Sequence, residues 1–220
     1  MQMNYKYIVF DLDGTLTDPY EGITNSVRYA MKQMKKPIPE GVELGIFIGP
    51  PLYYSFEHYM GLTKEESIEA VDQYRVYYKD KGLYENIIYG GIADLLADIR
   101  KSGGMALVGT SKPQIFAEEV LRDVNIHQYF NAISGADMSE AHSSKEEIIR
   151  RSLNLAGIPE SDYKYCLMVG DRKFDVEGAN LCGIHSVGVT WGYGDRDELE
   201  REGATYVIDT VEELRKIIWN

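Results

Sequence analysis

The chain has 220 residues and a formal net charge of -12, with 44% hydrophobic and 26% charged residues. This length allows one domain or two unequal domains with a buried core, and the composition is ordinary for a globular protein. The negative charge argues against nucleic acid or an anionic membrane as the main partner. It also repels anionic substrates, so any phosphate site in this protein needs cations close by.

The first residues and the cysteines predict a cytoplasmic protein. The segment MQMNYKYIVF lacks the long apolar region and the cleavage site of a signal peptide, and no apolar run approaches the length of a membrane span. Cys166 and Cys182 have no partner at metal-ligand spacing, which favours buried free thiols. We expect no nucleic-acid or membrane partner, and the sequence leaves the oligomeric state open.

The first predicted element is a buried strand at Tyr7–Phe10, a short apolar run that ends in turn residues. A different pattern follows, because tyrosine, methionine and leucine then recur at helical spacing with no further β-rich run until about residue 89. This pattern predicts helices at residues 21–34, 52–59 and 64–79. Together they form a separate helical lobe inserted after the first strand.

Strands and helices alternate through the rest of the chain. The predicted strands are MALVG, NAISG, YCLMV, HSVGV and TYVID, and the helices between and after them cover residues 92–99, 115–124, 145–156, 175–182 and 211–218. Such alternation predicts an α/β fold with a parallel sheet and helices on both of its faces. The first strand is as apolar as the others, so we expect it in the same sheet.

Two carboxylates, Asp11 and Asp13, follow the first strand with only Leu12 between them. Like charges this close disfavour each other's ionised forms. Three interpretations remain open from these residues alone: a cation lies between the carboxylates, one of them holds a proton, or the segment is a solvated turn. An Asp at this position is also often only a helix N-cap.

Chemically versatile side chains follow other predicted strands as well. Thr110 and Ser111 come after MALVG, a polar loop leads from NAISG to Lys145, and Asp171 and Asp175 follow YCLMV. In open parallel sheets ligands bind at the carboxyl ends of the strands. Carboxylates from different strands suit a hard cation such as Mg²⁺, and a hydroxyl with an ammonium group suits phosphoryl oxygens. Each residue alone has a structural interpretation, but their joint placement favours a site.

These segments resemble the motifs of the haloacid dehalogenase superfamily of hydrolases over essentially the whole chain. DLDGT resembles the first motif, Thr110 in ALVGTSKP the second, Lys145 the third, and the spacing from Asp171 to Asp175 the fourth. DGTLTDPYEGI, FIGPPL and TSKP are similar to a group labelled as phosphoglycolate phosphatases or 5'-nucleotidases. The chain departs from the common pattern at Ser111, where asparagine is frequent, and at Glu146, where proline is frequent.

The resemblance implies a Rossmann-like catalytic core at residues 1–16 and 90–220, with residues 17–89 as a helical cap. It implies a Mg²⁺-dependent phosphomonoesterase that acts on a small phosphate ester, such as phosphoglycolate or a nucleoside 5'-monophosphate. A phosphotransferase or sugar-phosphate mutase of the same superfamily stays open as an alternative. A regulatory binding domain without catalysis is the alternative from another class.

The same resemblance implies roles for the site residues. Asp11 would be the nucleophile that forms an aspartyl-phosphate, and Asp13 would act as general acid and then as general base. The metal site would comprise the Asp11 carboxylate, the Asp13 backbone carbonyl and Asp171, with Asp175 as a further ligand or as the residue that orients a bound water.

The remaining implied residues concern the substrate. Thr110, the backbone N–H of Ser111, and Lys145 would bind the phosphoryl oxygens. The cap would close over the substrate and select the leaving group. Tyr20 and Arg75 are the cap's specificity candidates, since a cation suits a carboxylate and a tyrosine can stack on a nucleobase. For both residues a place in the core or on the surface of the helical lobe is an equally good interpretation.

Overall fold

The computed structural model describes residues 2–137 and 144–219. The chain divides into two compact units, of which the first comprises Met1–Asp18 with Ile88–Asn220 and the second comprises Pro19–Ile87. The strands in chain order are β1 (Tyr7–Phe10), β2 (Thr17–Asp18), β3 (Ile87–Ile88), β4 (Met105–Pro113), β5 (Phe130–Ala136), β6 (Cys166–Gly170), β7 (His185–Val189) and β8 (Tyr206–Ile208).

The helices account for most of the remaining regular structure. In chain order they are α1 (Tyr20–Gln33), α2 (Leu52–Met60), α3 (Lys64–Asp80), α4 (Ile92–Lys101), α5 (Gln114–Asp123), α6 (Lys145–Leu155), α7 (Lys173–Cys182), α8 (Arg196–Arg201) and α9 (Val211–Ile218). Short 3-10 helices occur at Leu44–Phe47, Gly82–Tyr84, His127–Tyr129 and Glu160–Tyr165. Within the described ranges, no helix is both long enough and apolar enough to cross a membrane.

The first unit contains a six-stranded sheet in the order β5-β4-β1-β6-β7-β8. Every neighbouring pair in it is parallel, and β1 lies in the middle between β4 and β6. Ile8, Val9 and Phe10 are completely buried, as expected for a central strand of a parallel sheet that is covered on both faces. The predicted α/β fold with a parallel sheet, including the position of the first strand, is confirmed.

One face of the sheet packs against α6 and α7. Val9, Leu107 and Met168 come from neighbouring strands and share a buried apolar cluster with Ile149 and Ala179 of the two helices. Side chains alternate between the faces of a strand, so Tyr7 and Val9 of β1, and Cys166 and Met168 of β6, lie on the same face as Leu107 of β4. The packing fixes the central strands, and with them the residues that follow their carboxyl ends.

Both cysteines are buried free thiols, as the sequence predicted. Burial raises the pKa of the Cys166 thiol to about 12 and that of the Cys182 thiol to about 11. At neutral pH both thiols are therefore protonated and poorly reactive. They belong to the same apolar cluster and serve its packing.

The second unit is helical, with its core between α1, α2 and α3. Val27 and Phe56 are completely buried in it. Thr63 begins α3 through a capping box, because its hydroxyl accepts a hydrogen bond from the Glu66 N–H at 3.2 Å while the Glu66 carboxylate accepts one from the Thr63 N–H at 3.0 Å. The predicted helices of this lobe are present with small differences at their ends.

The largest difference from the predicted elements concerns β4. The sequence predicts a strand that ends at Gly109, whereas β4 continues to Pro113, which pairs with Ala136 of β5. The register shifts between Gly109 and Pro113, so Thr110 and Ser111 lie in the irregular end of a strand and not in a loop after it. Most of the polar loop before Lys145, residues 138–143, lies outside the described residues.

Candidate active site

The predicted site residues converge because of the strand order. Phe10 at the end of β1 lies beside Val108 of β4 and Val169 of β6, in parallel register. Residues that follow these positions therefore emerge at one edge of the sheet, where parallel α/β proteins bind their ligands.

Three carboxylates form a compact buried cluster at this edge. Asp11, Asp171 and Asp175 each place a carboxylate oxygen within 4.8 Å of the others. Asp171 is completely buried and Asp175 is only 2% exposed. Asp11, Leu12 and Gly14 are buried, so a solvated turn is wrong for the acidic segment. A cation between Asp11 and Asp13 and a proton on one of them both stay open.

The donor set fits a hard divalent cation. The Oδ1 atoms of Asp11 and Asp175 are buried and face the Lys145 ammonium, and Asp13 Oδ1 is buried with no hydrogen bond from the described part of the chain. Carboxylate oxygens are the ligands that Mg²⁺ and similar ions prefer. The buried carboxylates therefore fit a divalent cation at this edge of the sheet.

Asp171 is held in place by two donors. The Thr15 hydroxyl donates to its Oδ1 at 3.1 Å, and the Tyr193 N–H donates to its Oδ2 at 2.8 Å. Burial raises the pKa of Asp171 to about 8, and the nearby charges of Asp175 and Asp11 add to the effect. In the absence of a cation this carboxyl therefore holds a proton near neutral pH.

Lys145 provides positive charge between two of the carboxylates. Its Nζ lies 3.1 Å from Asp11 Oδ1 and 2.7 Å from Asp175 Oδ1, and it donates to the Gly109 carbonyl at 3.2 Å. Burial works against the charge of the ammonium, but Asp11 and Asp175 outweigh it and raise the pKa of Lys145. Lys145 is the first residue of α6, which Ser144 caps, so the helix start aims this side chain into the cluster.

Lys112 is a site residue that the sequence analysis missed. Its Nζ makes a close ion pair with Asp13 Oδ2, and both side chains are largely buried. Burial raises the pKa of Asp13 even though Lys112 opposes that shift. The sequence could have indicated this role, because Lys112 stands two places after Thr110 in TSKP and alternate residues of a strand share a face.

Thr110 is buried at the same edge of the sheet, whereas Ser111 is exposed to solvent. Thr110 is almost completely buried, and its hydroxyl accepts a hydrogen bond from the Lys112 N–H at 3.2 Å. The Ser111 residue is exposed. Their roles in phosphate binding stay predictions.

The cap candidates lie in the second unit. Tyr20 is the first residue of α1 and is 39% exposed, and Arg75 lies half-buried on α3. Their contribution to substrate selection also stays a prediction.

Gly14 lets the turn after β1 approach Asp171. Its φ of +81° lies in the left-handed region, which side chains rarely adopt. A Cβ at this position would lie 2.3 Å from Asp171 Oδ2, well inside any allowed contact. Only glycine fits here, because it meets both the backbone and the steric requirement.

The segment after β7 is a further part of the site that the sequence analysis did not identify. Besides the Tyr193 N–H bond to Asp171, the Trp191 indole N–H donates to the Thr15 carbonyl at 3.2 Å. The Tyr193 hydroxyl makes a short hydrogen bond to Asp18. The sequence could have pointed to this segment, because it directly follows the predicted strand HSVGV and ligands bind at the carboxyl ends of parallel strands.

In the metal-free protein we expect the unfolding temperature to fall as the pH rises from about 5 to about 8. The pKa of Asp171 is about 8 in the folded protein and about 4 in an unfolded chain, so only the folded state binds the extra proton between these values. The pKa values of Asp13 and Asp175 shift in the same direction. Raising the pH therefore removes stability.

Thermal unfolding between these pH values, with EDTA or with a divalent cation, measures the effect. The cation binds the ionised carboxylates, so it should raise the unfolding temperature more at the high end of the range than at the low end. Asp171→Asn should flatten the dependence in EDTA. An unfolding temperature that rises with pH in EDTA would contradict this explanation.

Comparisons with known proteins agree with the fold. A 5'-nucleotidase of Pseudomonas aeruginosa is 39% identical over 216 residues, which are 98% of this chain and 96% of that protein. A protein of Mycobacterium tuberculosis named tyrosine-protein kinase PtkA is 39% identical over 214 residues, 96% of this chain and 72% of that protein. A solved structure described as a predicted phosphatase from Clostridium acetobutylicum has a TM-score of 0.87 at 40% identity, and the match covers 96% of this chain and 97% of that one.

The family assignment follows from the extent of these matches. Residues 8–189 match the family described as haloacid dehalogenase-like hydrolase, which is most of the chain. The match begins in β1 and ends with β7, so it includes every carboxylate of the cluster. The chain belongs to the haloacid dehalogenase-like hydrolases.

Proposed function

We propose that this chain, a phosphatase of the haloacid dehalogenase-like family, is a Mg²⁺-dependent phosphomonoesterase that works through an aspartyl-phosphate on Asp11. The observation that supports this most is the cluster of Asp11, Asp171 and Asp175, with the Lys145 ammonium against Asp11 and Asp175. Several buried carboxylates at one place are costly for a fold, and such clusters are frequent at sites that bind a cation and a charged substrate.

The metal ligands would be the carboxylates of Asp11 and Asp171 and the backbone carbonyl of Asp13, with Asp175 beside them. When bound, Mg²⁺ would offset negative charge on the transferring phosphoryl group. Thr15 and Tyr193 orient the Asp171 carboxylate through their hydrogen bonds, so this ligand is fixed before any ion arrives.

The first chemical step would transfer the phosphoryl group to the enzyme. A carboxylate oxygen of Asp11 attacks phosphorus, and the bond from phosphorus to the ester oxygen breaks. Asp13 gives its proton to the departing oxygen, which leaves as an alcohol. The raised pKa of Asp13 suits this role, because burial keeps a proton available above the usual range of an aspartate.

The second step would restore the enzyme. Asp13, now ionised, takes a proton from water while the water oxygen attacks phosphorus. The bond between phosphorus and Asp11 breaks, phosphate departs, and the Asp11 carboxylate is free again. Lys145, Thr110 and the Ser111 N–H would bind phosphoryl oxygens in both steps, and Asp175 keeps the Lys145 ammonium beside Asp11.

The proposed substrate is a small phosphate ester. The relative named 5'-nucleotidase supports a nucleoside 5'-monophosphate, whereas the resemblance to phosphoglycolate phosphatases supports a short carboxylated ester. Tyr20 would favour the first through stacking, and Arg75 would favour the second through its charge. The helical second unit would act as the cap that carries both residues.

Phosphate release from a substrate panel tests this function. The panel contains 2-phosphoglycolate, nucleoside 5'-monophosphates, sugar phosphates and pyrophosphate, each with Mg²⁺ and with excess EDTA. We expect turnover of at least one monoester that EDTA abolishes and added Mg²⁺ restores. Absence of release from every member, or release that EDTA leaves unchanged, would overturn the proposal.

A phosphotransferase is the second candidate, and the relative named tyrosine-protein kinase PtkA favours it. The same aspartyl-phosphate would then pass its phosphoryl group to an acceptor hydroxyl and not to water. Phosphate release and phosphorylated acceptor, measured together in the presence of tyrosine and small alcohols, separate the two activities. If the amount of phosphorylated acceptor exceeds the amount of released phosphate, the protein is a phosphotransferase and not a hydrolase.

A further inference from the structure

The ion pair between Lys112 and Asp13 is the strongest feature of the site that the mechanism above does not use. The side chains are only 6% and 15% exposed, respectively. Asp13 lies beside the proposed nucleophile, so its orientation matters for proton transfer. Lys112 is 99 residues away in sequence, and only the fold brings the two together.

The backbone of β4 aims Lys112 at the site. Thr110 and Lys112 are buried while Ser111 between them is exposed, which is the alternation expected of a strand. The Lys112 N–H donates to the Thr110 hydroxyl at 3.2 Å and fixes the backbone of this irregular segment. The Lys112 ammonium group therefore extends from the constrained end of a strand and not from a loop.

The two oxygen atoms of the Asp13 carboxylate have different surroundings. Oδ2 is occupied by the Lys112 ammonium, while Oδ1 is buried and accepts no hydrogen bond from the described residues. The ion pair at Oδ2 restricts the rotation of the Asp13 carboxylate, and it thereby restricts the direction of the other oxygen. General acid catalysis depends on this direction, because the donor atom must lie within hydrogen-bond distance of the departing oxygen.

We propose that Lys112 is a positioning residue, which holds the Asp13 carboxyl group through Oδ2 in the orientation from which it delivers the proton to the leaving group. The inference rests on the proposed function, since it takes Asp13 as the acid. In the step concerned, the bond between phosphorus and the ester oxygen breaks and the proton moves from the Asp13 carboxyl group to that oxygen. Lys112 itself neither gains nor loses a proton in this step.

The dependence of rate on the leaving group distinguishes this role from a structural one. p-Nitrophenolate leaves without protonation, whereas the alkoxide of an alkyl phosphate needs the acid. The constant kcat/KM reports the steps up to the first irreversible one, which includes departure of the leaving group. A variant that loses only the acid should therefore lose kcat/KM on the alkyl ester and keep most of it on p-nitrophenyl phosphate.

The experiment compares the best alkyl ester of the panel with p-nitrophenyl phosphate at saturating Mg²⁺. We expect Lys112→Met to lose about 100-fold or more of kcat/KM on the alkyl ester and less than about tenfold on the aryl ester. Asp13→Asn should show the same pattern, and Lys112→Arg should recover part of the alkyl activity. Lys101→Met removes a lysine from the exposed end of α4 and should leave both constants unchanged.

Two outcomes would overturn the inference in distinguishable ways. Equal losses on both esters in Lys112→Met, with the expected pattern in Asp13→Asn, would mean that Lys112 binds phosphate or supports the fold, and the proposed function would stand. Equal losses in Asp13→Asn would remove the acid role of Asp13 and the inference with it. Thermal unfolding checks each variant, and Lys112→Gln takes the place of Lys112→Met if the latter does not fold.

Discussion

Replacing Asp11 by asparagine is expected to lower phosphate release by at least about 10⁴-fold, because the amide oxygen is a poor nucleophile and no other residue takes its place. The fold should persist, since asparagine has nearly the same volume. In the metal-free protein the variant should be no less stable than the wild type. The charge of Asp11 contributes to the raised pKa of Asp171, so its removal relieves repulsion inside the cluster.

The measurement is phosphate release at saturating Mg²⁺, together with acid quenching and mass spectrometry of the peptide that contains Asp11. The wild type should carry one phosphoryl group on this peptide during turnover, and the variant should carry none. Asp123→Asn makes the same chemical change at an exposed position at the end of α5 and serves as the control. Residual turnover within about tenfold of the wild type would show that Asp11 is not the nucleophile.

Replacing Lys145 by methionine is expected to lower the free energy of unfolding by about 3 to 5 kcal/mol in EDTA, because it leaves buried carboxylates without their cation. The ammonium lies between Asp11 and Asp175, and both pairs are lost together. Turnover should also fall by about 10² to 10³-fold, since a preorganised donor to the phosphoryl oxygens disappears.

Urea unfolding in EDTA and in Mg²⁺ tests the effect on stability. Added Mg²⁺ should stabilise the variant more than the wild type, because a bound cation offsets part of the uncompensated negative charge. A second change, Asp175→Asn, should restore part of the stability of Lys145→Met by removing one of the unpaired carboxylates. Lys101→Met is again the control, and a loss no greater than in this control would contradict the role of Lys145.

The carboxylates of the site were predictable because each directly follows an apolar run. Asp11 and Asp13 follow β1, and Asp171 follows Gly170, the last residue of β6. The ends of parallel strands share an edge, so identifying the strands was enough to expect these residues together. The buried location of Lys145 was less predictable, since a lysine at a helix start usually faces solvent.

The contacts of the site residues were not predictable, because their partners are distant in sequence. Lys112 at the end of β4 forms an ion pair with Asp13, which follows the neighbouring strand β1. The Tyr193 N–H, in the segment after β7, donates a hydrogen bond to Asp171. The length of β4 depends in the same way on pairing with β5, which extends the strand to Pro113 beyond the apolar run. Local propensity carries no information about such partners.

The sequence by itself determined the α/β class, the helical lobe after the first strand and the carboxylates at the sheet edge. These follow from local periodicity and from the covalent neighbourhood of each strand end. The tertiary structure alone decided which oxygen of each carboxylate is occupied and by which donor. It placed Lys145 between Asp11 and Asp175 and Lys112 against Asp13, since the strand order β4-β1-β6 sets the distances between residues that are far apart in the chain.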